Sequence, residues 1–262
     1  MGPILAVIVP AFNEAATLGS LVRRVLAQSC VQQVIIVDDG SIDGTFEVAR
    51  TFLGDQRVSV HRHPVNRGKG AAIRTAIDVA RASIAIIQDA DLEYDPAEYP
   101  LMIAPILQGR ADVVYGVRGF AGHTAYSYWF VVGNRLVTTA TNVLFNCYIQ
   151  DMETGFKAVR TDLLRRLGLR GDRFDIEPEM TARILRLGYR IHEVPITYYA
   201  RTRAEGKKLT WLDGVRALGT LIALRASSRG RLFSNEDPYH RSRLRELAVA
   251  SRLPDVPADR AA

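Results

Sequence analysis

Short runs of consecutive apolar residues alternate, over the first 118 residues, with segments in which apolar residues recur every three or four positions. The continuous runs are typical of strands that are buried on both faces, and the spaced segments are typical of amphipathic helices. Strands are predicted at residues 4–9, 34–37, 58–60, 84–87 and 111–115. Because strands and helices alternate, the pattern predicts an α/β fold with a mostly parallel sheet and right-handed crossovers.

The alternation lapses after residue 118. The pattern there predicts, in order, a loop and a helix over 119–146, a strand over 150–160, a helix over 177–187, a strand over 190–199 and a helix over 209–226. The last helix has an apolar stripe made of Leu212, Val215, Leu218 and Ile222, with Arg216 and Arg225 set apart from it. From residue 235 the chain is rich in Arg, Asp and Pro with little periodicity, which predicts a mobile tail.

These patterns indicate one domain over residues 1–232, with halves at 1–118 and 119–232, followed by a flexible tail at 233–262. With 48% hydrophobic and 24% charged residues among 262, the chain can bury a substantial core and is not globally disordered. The net charge of +6 and the pI near 9.5 predict an acidic partner, such as a nucleotide, a phosphate, a nucleic acid or an anionic membrane surface.

The sequence features that report on the cellular compartment favour the cytoplasm. Cys30 and Cys147 are far apart and lack metal-ligand spacing, which suits a reducing compartment without a disulfide framework. The start, Met1-Gly2-Pro3, lacks the basic residues of a signal peptide. No stretch approaches 18 uninterrupted apolar residues, so we expect no membrane-spanning helix.

Carboxylates follow directly after the buried strand at 84–87. Asp89 and Asp91 fall on the same side of an extended chain, at the carboxyl edge of the predicted sheet, where open α/β sheets hold ligands. Two carboxylates this close repel each other unless a cation lies between them, and oxygen ligands suit Mg²⁺ or Mn²⁺. The alternative interpretation is a polar loop whose aspartates cap the helix after Pro96.

Two other strand ends also carry acidic residues, Glu14 after the first strand and Asp38 and Asp39 after the second. Nearby, the turn at residues 68–70 begins a helix with two glycines and Lys69, and such a start offers N–H groups, a favourable dipole and a cation to a diphosphate. Carboxylates away from the metal can accept hydrogen bonds from a ribose or a base. Together, the carboxylates at the three strand ends and the Gly-Lys-Gly turn predict a nucleoside diphosphate site with a bridging metal. Each feature alone could be a helix cap or a solvated charge.

Other classes of protein fit these features less well. A dinucleotide-dependent oxidoreductase requires G-x-G-x-x-G directly after a strand, whereas the turn at 68–70 follows a polar loop and Ile73 stands in place of the third glycine. No P-loop motif is present. A phosphatase with an aspartyl nucleophile would leave Glu14, Asp39 and the Gly-Lys-Gly turn unexplained. A non-catalytic basic module that binds membranes or nucleotides would explain the charge but not the convergent carboxylates.

Four motifs occur in the order and spacing of a known family: VIVPAFNE, DDGSIDGT, NRGKGAAI and DADLEYDP. Together with DMETGFKAVR, they resemble family 2 glycosyltransferases of the GT-A fold, and most of all the branch of polyprenyl-phosphate (dolichyl-phosphate) hexose synthases. The resemblance covers residues 4–226. It implies a glycosyltransferase that moves a hexose from a UDP- or GDP-linked sugar to a polyprenyl phosphate, with the nucleotide sugar bound by 1–118 and the acceptor by 119–232.

The same resemblance implies which residues bind the donor. The nucleotide-sugar site comprises Pro10, Phe12, Glu14, Asp39, Lys69, Asp89 and Ala90, with Lys69 near the diphosphate. The cofactor is Mg²⁺ or Mn²⁺ held by Asp89 and Asp91. Glu93 stands where this branch often has Gln and is implied as a third metal ligand through oxygen.

For the acceptor, the resemblance points to a second group of residues. Asp151 matches an acidic position near the acceptor, and Arg118, Arg201 and Arg203 match basic residues that hold the lipid phosphate. The implied catalytic residues are Asp91, Asp151 and Arg118.

The acceptor helix departs from the branch, which usually has an Arg four residues before a Ser. This chain has Asn134 and Thr138 at that spacing, with Arg135 and Thr139 one step along. We take Arg135 and Thr138 as the candidate phosphate contacts on this helix.

The implied reaction is a single in-line displacement at the anomeric carbon with inversion, in which the metal neutralises the leaving diphosphate. A polyprenyl phosphate is already ionised at neutral pH, so Asp151 is expected to orient the acceptor or to stabilise positive charge on the sugar. A saccharide hydroxyl acceptor, the alternative, would require a general base worth roughly 10²–10⁴-fold in rate.

Residues 201–231 contain eight Lys or Arg and two acidic residues. With Trp211 and Leu212, they predict a helix on an anionic membrane, and a core-packing helix with a solvated basic face is the alternative. We therefore expect a peripheral protein at the cytoplasmic face of the membrane, with a membrane-spanning partner protein as a further candidate and no nucleic acid partner. Glu177 and Glu179 are predicted to be ordinary charges at a helix start, and the five histidines lack metal spacing.

Overall fold

A computed structural model describes residues 4–119, 128–199 and 211–233. Strands and helices alternate in the first half, as the sequence predicts. The elements are β1 (Leu5–Ala11), α1 (Ala15–Leu26), β2 (Val31–Asp38), α2 (Thr45–Arg50), β3 (Val58–Arg62), α3 (Lys69–Val79), β4 (Ile84–Ile87), α4 (Tyr99–Leu107) and β5 (Val113–Arg118). A short 3-10 turn, Pro96–Glu98, precedes α4, and Asp95 caps this turn by accepting a hydrogen bond from the Ala97 N–H.

The second half contains more helix than strand. Its elements are α5 (Tyr128–Phe145), β6 (Lys157–Arg160), α6 (Thr161–Arg166), α7 (Ile176–Leu187), β7 (Ile191–Ile196), α8 (Trp211–Ala226) and α9 (Arg229–Leu232). The predicted strand at 150–160 is wrong over residues 150–156, which form a loop. The backbone N–H groups of this loop donate to side chains rather than to a neighbouring strand: Gln150 to Glu193, Met152 to Thr138 and Gly155 to Tyr94.

All seven strands named above belong to one sheet, in the order β3-β2-β1-β4-β6-β5-β7. Neighbouring strands are parallel except where β6 runs antiparallel between β4 and β5. In this register Ala11 pairs with Asp38, so β1 and β2 end at the same edge, and β4 runs parallel beside them. The predicted α/β fold with a mostly parallel sheet flanked by helices is confirmed.

Both faces of the sheet are covered by helices, and the strands are apolar for that reason. In β1, Leu5, Val7 and Val9 pack into a cluster with α1 and α4, whereas Ala6 and Ile8 pack into a cluster with α3, α6 and α7. Successive side chains of a strand point to opposite faces, so a strand covered on both sides has no polar face. Because the sheet is buried, ligands can reach it at the edge where the strands end.

The helix α8 packs against α5 and α7. Its buried contacts are Ala217 and Leu221, which join a small cluster with Val137, Met152 and other residues. Of the predicted apolar stripe only Leu218 packs against this cluster, whereas Leu212, Val215 and Ile222 are exposed. Within the described ranges, no helix combines the length and the hydropathy that a membrane crossing requires. From residue 234 the predicted tail lies outside the described residues.

Candidate active site

A cleft of about 500 Å³ opens at the carboxyl edge of the sheet. All seven residues predicted for the nucleotide sugar line it: Pro10, Phe12, Glu14, Asp39, Lys69, Asp89 and Ala90. The cleft is also lined by Asp91, Glu93 and Arg118 from the predicted metal and acceptor sites, and by Asp213 and Arg216 of α8. Segments that are far apart in sequence therefore contribute to one site.

At one end of the cleft, Asp39 organises the loop that leads into α3. Its Oδ1 accepts hydrogen bonds from the Arg67 N–H (3.0 Å) and is 2.7 Å from His63 Nδ1, and its Oδ2 accepts from the Gly68 N–H (2.6 Å). Asp38 is buried and pairs with Arg62, whose Nε lies 3.1 Å from Asp38 Oδ2. Asp39 thus lines the cleft as predicted and also accepts hydrogen bonds from the backbone that leads into α3, whereas Asp38 stabilises the turn through its contact with Arg62.

The two glycines at the start of α3 permit a close backbone contact. A Cβ on Gly68 would lie 2.3 Å from the Asp172 carbonyl oxygen, and one on Gly70 would lie 2.3 Å from that of Gly171. Gly68 also has φ +103°, a conformation that favours glycine. The Ala71 N–H donates to the Asp172 carbonyl over 3.0 Å. This first-turn N–H group is therefore committed to the protein, whereas Lys69 brings a cation to the lining of the cleft.

Lys69 bridges two carboxylates in the cleft. Its Nζ lies 2.7 Å from Asp89 Oδ1 and 3.1 Å from Glu177 Oε1. Burial by itself lowers the pKa of Lys69, but the charges of Asp89 and Glu177 outweigh burial and raise the pKa above its ordinary value. Lys69 is therefore a permanent cation at neutral pH.

The interpretation of Glu177 as an ordinary charge at a helix start is wrong. Glu177 is buried and contacts both Lys69 and Lys157, and Lys157 is fully buried against the carbonyl oxygens of Met152 and Thr154. Burial alone raises the pKa of Glu177, but the two ammonium groups lower it overall. The available sequence signal was Lys157 between Phe156 and the apolar pair Ala158-Val159, because a buried lysine requires a buried acidic partner.

Glu179 is also structural rather than solvated. It accepts hydrogen bonds from the Arg170 and Gly171 N–H groups, and its Oε1 lies 2.7 Å from Arg183 Nε. Glu179 thus fixes the loop that packs against the start of α3.

The predicted metal ligands are not all directed to one point. Asp89 contacts Lys69, Asp91 Oδ1 accepts a hydrogen bond from the Glu93 N–H (3.2 Å), and Glu93 Oε2 accepts one from the Tyr198 hydroxyl (2.6 Å). Across the described ranges, no three His, Cys, Asp or Glu residues are grouped closely enough to hold a metal. Asp89 and Asp91 nonetheless fit Mg²⁺, which is commonly held by one or two carboxylates together with substrate phosphates. Glu93 is engaged by Tyr198 in this arrangement, and its role as a third ligand stays a prediction.

A glycine gives Asp89 its place in the cleft. A Cβ on Gly155 would lie 2.5 Å from Asp89 Oδ2. The Gly155 N–H donates to the Tyr94 hydroxyl over 2.9 Å, and the Tyr94 ring stacks on Phe156. The motif DMETGFKAVR therefore packs directly against the end of β4.

The predicted acceptor residues Arg118 and Asp151 form a buried ion pair. Arg118 Nε lies 2.6 Å from Asp151 Oδ2, and Arg118 Nη2 donates to Asp151 Oδ1 over 2.7 Å. The Asn134 amide donates to Asp151 Oδ1 over 3.1 Å. Burial by itself lowers the pKa of Arg118, but Asp151 outweighs it and raises the pKa well above the ordinary value. Asn134 thus occupies the place on α5 that faces this pair.

The remaining predicted acceptor residues lie elsewhere. Arg135 is exposed, on a different side of α5 from the buried Asn134 and Thr138. The Thr138 hydroxyl accepts a hydrogen bond from the Met152 N–H and so fixes the loop that carries Asp151. The structure therefore does not bring Arg135 to the ion pair. Arg201 and Arg203 lie outside the described residues.

Sequence reasoning missed Glu153, which lines the cleft two residues after Asp151. Its Oε1 is buried and has no hydrogen-bond partner among the described residues. Burial raises the pKa of Glu153 to about 7, although the charge of Lys157 acts to lower it. Nothing in its motif distinguishes this glutamate from a solvated loop residue.

Comparison with known sequences yields one family. Residues 6–168 match the sequence model described as Glycosyl transferase family 2. The chain is 32% identical over 208 residues to the polyprenol monophosphomannose synthase of Mycolicibacterium smegmatis, a match that covers 74% of this chain and 77% of that protein. It is 28% identical over 213 residues to the dodecaprenyl-phosphate galacturonate synthase of Rhizobium johnstonii, a match that covers 78% of this chain and 61% of that protein.

Comparison with solved structures identifies the same kind of fold. A glucosyl-3-phosphoglycerate synthase from Mycobacterium tuberculosis superposes with a TM-score of 0.66 at 23% identity, over 87% of this chain and 82% of that one. That crystal structure contains Mn²⁺, UDP and glucosyl-3-phosphoglycerate. At this identity the likeness concerns the fold alone, and it confirms the predicted GT-A fold.

Proposed function

The chain belongs to glycosyl transferase family 2, and on that premise we propose that it transfers a hexose from a UDP- or GDP-linked sugar to a polyprenyl phosphate. The donor occupies the end of the cleft lined by Pro10, Phe12, Glu14 and Asp39, with its diphosphate toward Lys69. The acceptor phosphate binds at the end that carries Arg118. Two relatives named as polyprenyl-phosphate sugar synthases support this choice of acceptor.

The observation that carries the proposal is the ion pair between Arg118 and Asp151. Both oxygens of Asp151 accept hydrogen bonds from Arg118, and Oδ1 accepts one more from Asn134. Asp151 is fully buried and both of its oxygens are engaged by these donors, so it is not placed to take a proton from a bound acceptor. A phosphate acceptor requires no deprotonation, whereas a hydroxyl acceptor does.

The chain's own residues act on charge and position. Arg118 attracts and orients the acceptor phosphate, and Asp151 with Asn134 holds the guanidinium in place. Lys69 stabilises negative charge on the diphosphate, and Glu177 and Lys157 hold Lys69 at the cleft. Asp89 and Asp91 would hold Mg²⁺ or Mn²⁺, which supplies further neutralisation of the leaving diphosphate.

The proposed reaction is a single displacement with inversion. An oxygen of the acceptor phosphate forms a bond to the anomeric carbon while the bond from that carbon to the diphosphate oxygen breaks. The electron pair leaves with the nucleoside diphosphate, and no proton is transferred. Fixed positive groups at both ends of the cleft suit this reaction, because negative charge moves from the acceptor to the leaving group.

The acceptor's lipid chain requires access to a membrane. Exposed apolar side chains on α5 (Trp129, Leu136 and Val143) and on α8 (Leu212, Val215 and Ile222) suit an anionic membrane surface together with nearby arginines. We propose peripheral binding at the cytoplasmic face, and a membrane-spanning partner could present the lipid there.

A transfer assay tests the proposal. The purified full chain is incubated with Mn²⁺ or Mg²⁺, a radiolabelled UDP- or GDP-hexose and a short polyprenyl phosphate, and the organic phase is counted. We expect label in the lipid, none when EDTA is present and none when the acceptor is the unphosphorylated polyprenol. Transfer to a soluble saccharide but not to the lipid phosphate would contradict the proposal. NMR of the product then reports whether the anomeric configuration is inverted.

A further inference from the structure

Glu153 is placed differently from the other acidic groups around it. Asp151 is paired with Arg118, and Glu177 is paired with Lys69 and Lys157. Glu153 lies in the loop between α5 and β6 and lines the cleft, yet its buried Oε1 has no partner among the described residues. Buried polar atoms are nearly always hydrogen-bonded, and because this unpaired oxygen belongs to a residue of the cleft lining, it points to a donor from a ligand.

Leaving the oxygen unpaired has a cost in stability. A buried carboxyl oxygen without a partner loses its hydration and gains no hydrogen bond from the protein in return. Groups held in this way are concentrated at functional sites, where a ligand provides the missing contact. Glu153 lines the cleft and is only partly buried as a whole, so its carboxyl group lies at the boundary between the protein and a bound ligand.

The chain on either side of Glu153 locates it between the two ends of the cleft. Asp151, two residues before it, pairs with Arg118, and a Cβ on Gly155, two residues after it, would lie 2.5 Å from Asp89 Oδ2 and 3.4 Å from Lys69 Nζ. Glu177 belongs to the network that holds Lys69 at Asp89, on the diphosphate side. Arg118 and Asp151 belong to the acceptor side. The transferred sugar must lie between a leaving diphosphate and an attacking phosphate, and therefore near Glu153.

The possible ligands differ in whether they can donate a hydrogen bond to Glu153. The phosphates of donor and acceptor carry negative charge, offer no proton when fully ionised, and are repelled by a carboxylate. Sugar hydroxyl groups donate hydrogen bonds to carboxylate oxygens. We propose that Glu153 accepts a hydrogen bond from a hydroxyl group of the transferred hexose and thereby contributes to the choice of sugar. This inference rests on the proposed function, since it assigns the part of the cleft that holds the donor's hexose.

Binding measurements without acceptor test the inference. Calorimetric titration with Mn²⁺ present compares UDP with UDP-glucose, and GDP with GDP-mannose, for the wild type, Glu153→Gln and Glu153→Ala. The wild type should recognise one of the two nucleotide sugars, and we expect it to bind that nucleotide sugar more tightly than the corresponding nucleotide. Glu153→Ala should weaken binding of the nucleotide sugar by about tenfold and leave binding of the nucleotide unchanged. Glu153→Gln, which keeps an acceptor oxygen, should give an intermediate loss.

Deoxy analogues of the recognised donor identify the hydroxyl. For the analogue that lacks it, Glu153→Ala should cause no further loss, because the contact is already missing. Asp162→Asn serves as a matched control, since Asp162 is a partly exposed carboxylate on α6 that pairs with Arg166. This control variant should bind nucleotide and nucleotide sugar as the wild type does.

Several outcomes would overturn the inference. An equal loss of affinity for nucleotide and nucleotide sugar would make Glu153 a general structural residue. Unchanged sugar affinity in Glu153→Ala would show no contact, and abolished transfer in Glu153→Gln with unchanged donor binding would make Glu153 a general base. Thermal unfolding checks that Glu153→Ala is folded, which we expect because the unpaired oxygen stabilises nothing. A wild type that binds the donor but transfers nothing to lipid phosphate would contradict only the proposed function.

Discussion

The ammonium group of Lys69 lies 2.7 Å from Oδ1 and 2.9 Å from Oδ2 of Asp89. The lysine is therefore paired with one of the two aspartates that are predicted to bind a metal ion. Lys69 also contacts Glu177 over 3.1 Å. A lysine with two carboxylate partners can release one of them while it stays paired with the other. Lys69 and a divalent metal therefore compete for Asp89, whereas the diphosphate of the donor attracts both.

This competition predicts opposite effects of one substitution on two ligands. In Lys69→Met, Asp89 and Glu177 lose a cation, so the variant should bind Mn²⁺ alone several-fold more tightly than the wild type. The same variant should bind UDP or GDP more weakly in saturating Mn²⁺, because one positive charge near the diphosphate is missing. Electron paramagnetic resonance of free Mn²⁺ measures the first effect and calorimetry the second. Lys69→Arg is the control, and unchanged Mn²⁺ affinity in Lys69→Met would contradict the competition.

The two candidate metal ligands and Glu93 should respond differently to substitution. Asp91→Ala should reduce transfer by more than about 100-fold with the fold retained, and should abolish the Mn²⁺-dependent rise in melting temperature caused by the nucleotide. Glu93→Gln should keep that Mn²⁺-dependent rise, because Glu93 accepts its hydrogen bond from Tyr198. A loss of metal dependence in Glu93→Gln equal to that in Asp91→Ala would return Glu93 to the metal site.

The pair of Arg118 and Asp151 should affect both stability and acceptor use. Arg118→Ala leaves Asp151 buried without its cation, which should cost about 3–5 kcal/mol of the free energy of unfolding. The double variant Arg118→Ala, Asp151→Ala should be less destabilised than that single variant, as urea unfolding can measure.

For catalysis, Arg118→Lys is the better probe because it retains the positive charge. We expect it to raise the KM for polyprenyl phosphate while hydrolysis of the donor changes little, since the guanidinium's paired contacts are lost but the donor end is intact. A defect confined to the donor would refute an acceptor role for Arg118.

The unpaired Glu153 predicts a dependence of stability on pH. The pKa of Glu153 is raised to about 7 in the folded protein, so folding favours the protonated form. Protonation therefore adds to the free energy of unfolding. This addition is complete below pH 4.5 and is lost as the pH rises through about 7. The charges that face Glu153 are Lys157, Glu177, Arg118 and Asp151.

The wild type should therefore lose stability relative to Glu153→Gln as the pH rises from 4.5 to 7, by at most about 1.4 kcal/mol per pH unit. Urea unfolding of both proteins at several pH values measures this difference. A difference that does not vary with pH would show that Glu153 is solvated.

The exposed apolar residues predict membrane binding without a role in stability. Trp129 is 77% exposed, Leu136 63% and Val143 77%. The triple variant with serine at these positions should sediment less with vesicles that contain anionic lipid, because each apolar side chain contributes of order 1 kcal/mol to insertion. Its melting temperature should match that of the wild type within a few degrees. Unchanged sedimentation would mean that another surface contacts the lipid.

The sequence by itself determined the architecture and which acidic residues meet in the cleft. Apolar runs marked the strands because a sheet covered on both faces has no polar side. The strand Ile84–Ile87 was predicted to the residue, and Glu14, Asp39 and Asp89 were predicted to meet because parallel strands end at one edge. This inference required only local pattern and topology.

Only the tertiary structure decided which charges are paired. Lys69 and Asp89 are 20 positions apart, and Lys157 and Glu177 also 20, while Arg118 and Asp151 are 33 apart. Sequence alone could not show that Glu93 accepts a hydrogen bond from Tyr198, or that Arg135 lies on a different side of its helix from Asn134. Whether a carboxylate is paired, capped or left alone depends on distances of a few ångströms between segments remote in sequence, and the packing of the whole domain sets those distances.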